Sequence, residues 1–139
     1  RVPGAAFFGV VVPTPPPRVL ADAALLEQAL VNLLDNAVKY APAGSRAAVG
    51  VEARGSAVEI AVTDEGVGIP PEDLPHVFDS FYRARRGDRV SPGTGLGLAI
   101  ARGLVEAMGG TIRATSPRPD APALGAPGTV VTLRLPAAP

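Results

Sequence analysis

Proline and glycine decide how long any element of this chain can be. Sixteen of each stand among 139 residues, about 23% of the sequence, just below the roughly 25–30% at which low complexity or disorder becomes the better reading. They are clustered: Pro13 to Pro17, the two glycines and two prolines between Glu65 and Pro71, and the four prolines and two glycines from Pro117 to Gly128. The chain is therefore cut into short periodic segments joined by rigid or irregular links. With 47% apolar residues those segments have enough material for one core, and a chain this long buries roughly two thirds of its unfolded surface.

The segments follow in a definite order. Residues 5–12 are an apolar run too short for a membrane helix, which needs about 20 residues, and predict a strand; residues 1–18 are this strand and its Pro-rich link. Asp22 is placed to cap a helix over 22–41, in which Leu25, Leu26, Ala29, Leu30, Leu33, Leu34, Ala37 and Val38 recur at helical spacing and Pro42 and Gly44 stop it. Two β-type runs, 47–53 and 57–64, alternate around Val58, Ile60 and Val62 and form a hairpin. A loop over 65–71 leads to a short helix over 72–78. Between Tyr82 and Thr94 periodicity disappears among Arg83, Arg85, Arg86, Asp88 and Arg89, as in a mobile flap. A helix over 96–108 has Leu98, Ile100, Ala101, Leu104, Val105 and Met108 on one side and Gly109-Gly110 at its end. Strands over 111–116 and 129–135 flank the Pro-rich loop 117–127. Regular βαβ alternation is missing, so a parallel doubly wound sheet is excluded. The expectation is an α+β fold with residues 1–139 as a single domain: a two-layer α/β sandwich with a mostly antiparallel mixed sheet and about three helices on one face.

Charge and composition remove several functions. Thirteen basic and thirteen acidic residues cancel, leaving no global field to hold nucleic acid or an acidic membrane surface. The absence of cysteine removes disulfides, thiolate catalysis and thiolate zinc sites, and a lone His76 removes multi-histidine metal sites. The first residue is not Met and stands in what looks like the middle of an element, so the chain reads as a piece of a larger protein.

Three constellations could carry chemistry. Gln28, Asn32, Asn36 and Lys39 share one stripe of the first helix. Alone, the stripe is the solvated face of an amphipathic helix. Lys39, however, is the only lysine beside twelve arginines, and an ammonium is a compact charge suited to a phosphate oxygen; an Asn carbonyl can take a hard cation. Next, Asp64-Glu65-Gly66-Val67-Gly68-Ile69-Pro70 follows a strand directly. It is an ordinary turn, or a carboxylate placed to accept from a planar amine beside glycines that let a ligand approach. Third, Gly93-Thr94-Gly95-Leu96-Gly97-Leu98 opens a helix and can present amides to an anion, or serve as a hinge. It lacks the Gly-Lys-Ser/Thr of a P-loop and does not follow a strand, so the dinucleotide fingerprint fails too.

In order and separation these segments resemble the catalytic and ATP-binding domain of bacterial two-component sensor histidine kinases, in the superfamily shared with DNA gyrase, the Hsp90 chaperone and the MutL repair protein. EQALVNLLDNAVKY, from Glu27 to Tyr40, is similar to the N box, DEGVGIP to the first glycine box, Phe78-Asp79-Ser80-Phe81-Tyr82-Arg83 to the F box and GTGLGLAIA to the second glycine box. Gly128-Thr129 and the strand ending at Leu135-Pro136 resemble the family's last strand. The run 82–92 with the helix after it also resembles the potassium-responsive, turgor-linked sensors.

The resemblance implies a Bergerat-type ATP-binding fold with ATP and Mg²⁺ as cofactors. Asn36 would ligate Mg²⁺, Asn32 would sit beside it near the phosphates, Lys39 would meet phosphate oxygens and Tyr40 would border the nucleotide. Asp64 would accept from the adenine amino group, with Gly66, Gly68 and Ile69 shaping the pocket and Thr129 supporting adenine through its hydroxyl. Gly93, Thr94, Gly95, Leu96, Gly97 and Leu98 would surround the phosphates with backbone amides. Residues 82–94 would be the ATP lid, with Phe81 anchoring its base and Arg83 and Arg86 reaching the γ-phosphate. The implied catalytic residues are Asn32, Lys39 and Arg83, and the reaction is phosphoryl transfer to a histidine. The acceptor would be a histidine-containing dimerisation domain of the same protein, relaying to a response regulator receiver domain. Nucleic acid and direct membrane contact are not expected; the domain would be cytoplasmic, in a membrane-anchored sensor kinase. His76 does not match a phosphoacceptor, so the chain alone should bind ATP without phosphorylating itself. Hydrolases of the gyrase or chaperone type place Glu where this chain has Asn32, and an amide cannot polarise the attacking water as that base does. A non-catalytic nucleotide-sensing or scaffold domain is the remaining alternative; it would have lost Asn36, Asp64 or the second glycine box, and all three are present.

Overall fold

The computed structural model describes residues 7–40, 46–82, 85–86, 89–90, 96–119, 121 and 127–139. Strand β1 (Phe7–Val11) precedes helix α1 (Ala23–Tyr40), the hairpin of β2 (Arg46–Arg54) and β3 (Ala57–Asp64), and two two-residue strands, β4 (Arg85–Arg86) and β5 (Arg89–Val90). Helix α2 (Gly97–Ala107) then leads to β6 (Thr111–Thr115) and β7 (Thr129–Pro136). Five strands form one sheet in the order β1-β2-β3-β7-β6. Among the described strands of this sheet only the β1–β2 pair is parallel; β2–β3, β3–β7 and β6–β7 are antiparallel. The α+β class and the mostly antiparallel mixed sheet are as expected.

Local chemistry explains the elements. Asp22 caps α1: its Oδ1 accepts from the amides of Ala24 at 2.9 Å and Leu25 at 3.1 Å, taking two of the donors that every helix start leaves unpaired. The i, i+4, i+8 series Ala29, Leu33 and Ala37 is buried, and α1 packs on β3 and on α2. Helix α2 buries Leu98, Ala101 and Val105 and ends in a Schellman motif: Gly109 donates to the Glu106 carbonyl and Gly110 to that of Val105, each at 3.0 Å. Ile100, placed on the apolar side from the sequence, is exposed. It lies about 200° around the helix from Leu98, outside the arc that Leu98, Ala101 and Val105 share.

Among the described residues the expected three helices are two. The segment 72–78 holds only a 3-10 turn, Leu74–His76, inside a series of three- and four-residue turns in which Asp73 donates to Pro70, His76 to Asp73, Asp79 to His76 and Tyr82 to Asp79. Pro75 has no amide to give, so an i to i−4 ladder cannot propagate through it. The region read as an aperiodic flap contains the short β4–β5 ladder, which pairs Arg85 with Val90 and Arg86 with Arg89.

Alternation along β3 divides the sheet. Val58, Ile60, Val62 and Asp64 face the helices, and Glu59 the opposite side. There Arg134 donates to Glu59 at 3.1 Å, and Arg113 and Arg54 approach at 3.6 and 3.7 Å. Desolvation pushes the Glu59 pKa up, but the Arg134 hydrogen bond and the Arg113 and Arg54 charges outweigh it and hold the carboxyl below its ordinary value of 4.5. A carboxyl with a depressed folded-state pKa stabilises fully above its unfolded value, and the gain disappears as pH falls through the lowered one. We expect Glu59→Gln to cost about 1 kcal/mol near neutral pH, with the gap between the two urea midpoints closing progressively below about pH 4.5.

Candidate functional site

The connections bring the motif-bearing ends of several elements to one end of the sheet. Asp64 closes β3 and pairs with Thr129, which opens β7; on its other side it pairs with Ala47 at the start of β2. Only residues 41–45 separate the end of α1 from β2, so the Asn36–Tyr40 end of that helix lies toward Asp64. Helix α2 reaches the start of β6 through residues 108–110 and packs along it. Its N-terminus therefore lies toward the end of β6, where Thr115 pairs with Val130, beside Thr129.

At this end the polar groups are buried. Asp64 is 4% exposed, and one of its carboxylate oxygens accepts from the Gly66 amide at 2.8 Å, which fixes its orientation. Thr129 is 2% exposed, and its Oγ1 has no hydrogen-bond partner. On α1, Asn32 and Asn36 are half-buried. Gln28 donates to the Asn32 Oδ1 at 3.1 Å, whereas the Asn32 Nδ2 is buried without a partner. Orphaned buried donors and hydroxyls are uncommon because each costs about 1–3 kcal/mol. The Thr129 hydroxyl, paired in the ladder with the fixed Asp64 carboxylate, marks a place where a polar ligand or water can complete the bonding, and the Asn32 amide, on α1, is a second such group.

The remaining sequence-selected residues fall as follows. Lys39 is half-exposed and ion-paired with Asp35 one turn earlier at 3.1 Å, a pair on a solvated helix face. Gly66, Gly68 and Ile69 form the loop after Asp64 and are buried. Leu96 caps α2 with no side-chain hydrogen bond and no acidic residue in the first turn, so among the described residues no side chain caps the positive end of the helix, where the first amides, those of Gly97 and Leu98 among them, lie. Phe81 has a φ of 65° and is 69% exposed; Val77 and Phe78 pack on the core in the segment before it. Tyr40 is helical and Arg86 belongs to β4, but their side chains lie outside the described residues, as do Arg83, Gly93, Thr94 and Gly95.

Sequence reasoning missed two polar constructions. Ser116 joins the loop after Asp64 to the start of β7: it accepts from the Ile69 amide at 2.9 Å and donates to the Gly128 carbonyl at 2.8 Å. Asp73 accepts from the Tyr82 hydroxyl, and that bond is the main reason the Tyr82 pKa lies above its ordinary value. His76 stacks against Tyr82 with ring centroids 5.3 Å apart and meets Asp79 at 3.1 Å. No periodicity or motif spacing marks a pairing of single polar residues brought together by loops.

Comparison with known proteins agrees with this geometry. The family model described as histidine kinase-, DNA gyrase B-, and HSP90-like ATPase matches residues 21–139. The sensor-like histidine kinase SenX3 of Mycobacterium tuberculosis is 45% identical over 121 residues, covering 86% of this chain and 28% of the relative; the chain thus spans little more than a quarter of that protein. Among solved structures, a mycobacterial sensor histidine kinase, MprB, superposes with a TM-score of 0.84 at 38% identity, covering 96% of this chain and 85% of the other. Full-length ShkA in complex with AMPPNP superposes with a TM-score of 0.75 at 30% identity, covering 96% of this chain and 26% of the other.

The tight join at the start of β7 is testable without any ligand. Gly128 has a φ of +68°, and a Cβ there would run into the Asp64 carbonyl and into the Arg118 side chain at 2.7 Å. Gly128→Ala should cost about 1–3 kcal/mol in a urea titration, whereas Gly50→Ala, with nothing within 4 Å of its Cβ, should leave stability unchanged or slightly raised.

Proposed function

The chain belongs to the histidine kinase-, DNA gyrase B- and HSP90-like ATPase family, and from that premise we propose that it is the part of a sensor histidine kinase that binds ATP and donates its γ-phosphoryl group. The observation that carries the reading is the buried Asp64 carboxylate beside the unpartnered Thr129 hydroxyl at the converging end of the sheet. A fixed carboxylate accepts from the exocyclic amine of adenine, and a guanine carbonyl at the same place would face a second acceptor. The Thr129 hydroxyl and the loop Gly66–Ile69 complete that end of the pocket.

The triphosphate extends from adenine toward α1 and the N-terminus of α2. The N-terminal amides and dipole of α2 suit an anion, and residues 93–95 belong to the same proposed cradle. Mg²⁺ supplies charge neutralisation on the phosphates; Asn36 is the residue proposed to reach it, by its side-chain oxygen. Among the described residues no cluster of three or more acidic or histidine side chains could hold a metal unaided, which fits a cation that arrives with the nucleotide. Lys39 gives up an exposed ion pair of small worth to meet a phosphate oxygen. Asn32 lies beside the phosphates, and Arg83 and Arg86 approach the γ-phosphate from the lid.

The reaction is the transfer of the γ-phosphoryl group from the β,γ-bridging oxygen to an imidazole nitrogen, leaving ADP. The protein's share is positioning and charge stabilisation. An amide at position 32 provides no base for water, so transfer is favoured over hydrolysis. The acceptor is a histidine on a dimerisation domain, with a response regulator receiver domain next in the relay, and the whole assembly belongs to a membrane-anchored sensor whose kinase portion is cytoplasmic.

Calorimetric titration of the 139-residue chain with AMPPNP and Mg²⁺ tests the pocket. Saturable binding is expected, and Asp64→Asn, which sets an amide donor against the adenine amine, should weaken it by about 100-fold, about 2.8 kcal/mol. Absence of heat with both proteins would overturn the reading. Incubating the chain and ATP with a separately supplied dimerisation domain should then yield acid-labile phosphohistidine.

A further inference from the structure

We propose that Ser116 is a positioning residue for the adenine end of the site, an inference that rests on the nucleotide pocket proposed above. Its hydroxyl bridges two segments: it accepts from the Ile69 amide at 2.9 Å and donates to the Gly128 carbonyl at 2.8 Å. Gly128 in turn donates its own amide to the Gly66 carbonyl at 2.9 Å. Three bonds therefore stitch the end of β6, the loop following Asp64 and the residue before Thr129 into one unit. Ile69 is 47 residues away in sequence from Ser116, so nothing local supplies this restraint.

The packing shows how tight the unit is. Gly68 has a φ of +78°, and a Cβ on it would stand 2.8 Å from the Ser116 Oγ and 2.8 Å from the Pro127 Cγ. The glycine is required because the β6–β7 connection presses on the loop, not solely because a ligand approaches it. The connection's prolines gain a role: Pro117 and Pro127, with Val67, Pro70 and Pro71, wall a small cavity of about 200 Å³ around Gly68, Ile69 and Ser116. Pro127 also accepts from the Arg118 amide at 2.9 Å, which closes the loop base immediately beside Ser116 and Gly128.

Ser116 does not extend the list of groups offered to ATP; it acts through others. Loss of the hydroxyl leaves the Ile69 amide and the Gly128 carbonyl without their shared partner. The loop that shapes the pocket and the strand residue that supports adenine are then tied only by the Gly128–Gly66 bond and the β3–β7 ladder, and the Ile69 end of the loop loses its anchor. Adenine recognition depends on Asp64 and Thr129 being held in register with Gly66–Ile69, so it is the base, and not the phosphates, that should register the loss.

The test compares wild type, Ser116→Ala and Ser116→Thr by calorimetry with ATP and GTP in the presence of Mg²⁺, well below each protein's melting temperature. Ser116→Ala should bind ATP about ten-fold more weakly and lose about ten-fold of the preference for ATP over GTP, while Ser116→Thr, which keeps the hydroxyl, should stay within about three-fold of wild type. A purely structural serine would lower the melting temperature and leave the ATP-to-GTP ratio unchanged, and that outcome overturns the proposal. Equal ATP binding by wild type and Ser116→Ala also overturns it, with the pocket itself left standing; failure of wild type to bind ATP removes the pocket and this inference with it. If Ser116→Ala does not fold, amide exchange in wild type decides: saturating ATP should slow exchange of the Ile69 and Gly128 amides by ten-fold or more, and unchanged exchange at both overturns the proposal.

Discussion

The alternation of side chains along β3 is the constraint on which the rest depends. A strand places successive residues on opposite faces, and here one phase buries Val58, Ile60 and Val62 under the helices and carries Asp64 to the same side at the strand's end. The carboxylate reaches its buried position because three apolar neighbours in phase with it are held there by the core. A one-residue slip of β3 would turn all four toward solvent and bring Glu59 inside, away from the arginines of β2, β6 and β7. Such a slip is resisted from both flanks, since β2 and β7 each pair with β3 over its whole length. The site's precision is thus inherited from the hydrophobic core.

That dependence explains which parts were legible in the sequence. Helix α1 was legible because its apolar period persists through 18 residues with an Asp cap in front and Pro and Gly behind. The β2–β3 hairpin was legible from alternation and the short Arg54-Gly55-Ser56 link between the runs. The motif residues Asp64, Gly66, Gly68 and Thr129 were legible as a resemblance, and the fold brings them to one end of the sheet; which ligand they hold is proposed on that basis. The short helix over 72–78 was over-read, because the missing amide of Pro75 was not weighed. Ile100 was over-read for the related reason that an apolar residue within a helix was assigned to the core without its angular position.

Ser116, Asp73 and Tyr82 belong to another class. Their pairings are set by where loops meet, and each involves a single small or polar side chain with no periodic neighbours. A sequence exposes such a pairing only when both partners sit in a recognised motif. Tyr82 is within the segment resembling the F box, yet Asp73 is not, and Ser116 lies at the edge of a Pro-rich loop that had no assigned role. In the fold that loop's two ends, at 116–118 and 127–128, are sewn to the first glycine segment. The prolines then have a physical use: they limit the freedom of a connection whose ends must hold two backbone segments in register.

The distribution of satisfied and unsatisfied groups carries this further. Among the described residues, Ser116 satisfies an amide and a carbonyl in the supporting structure, whereas Asn32 Nδ2 and Thr129 Oγ1, which line the proposed pocket, are buried with no partner. Native folds tolerate few such orphans, each at a cost of about 1–3 kcal/mol. A fold optimised for stability alone would place an apolar residue such as Val where Thr129 stands, at similar volume and without the orphaned hydroxyl. Under the proposed function, polar groups at these two places would separate a scaffold whose bonding is complete from a pocket whose bonding is completed by what it binds. On this division the cost of the two unpartnered groups would be recovered by a nucleotide that bonds to them, so that nucleotide binding and folding stability would be linked through the same few atoms.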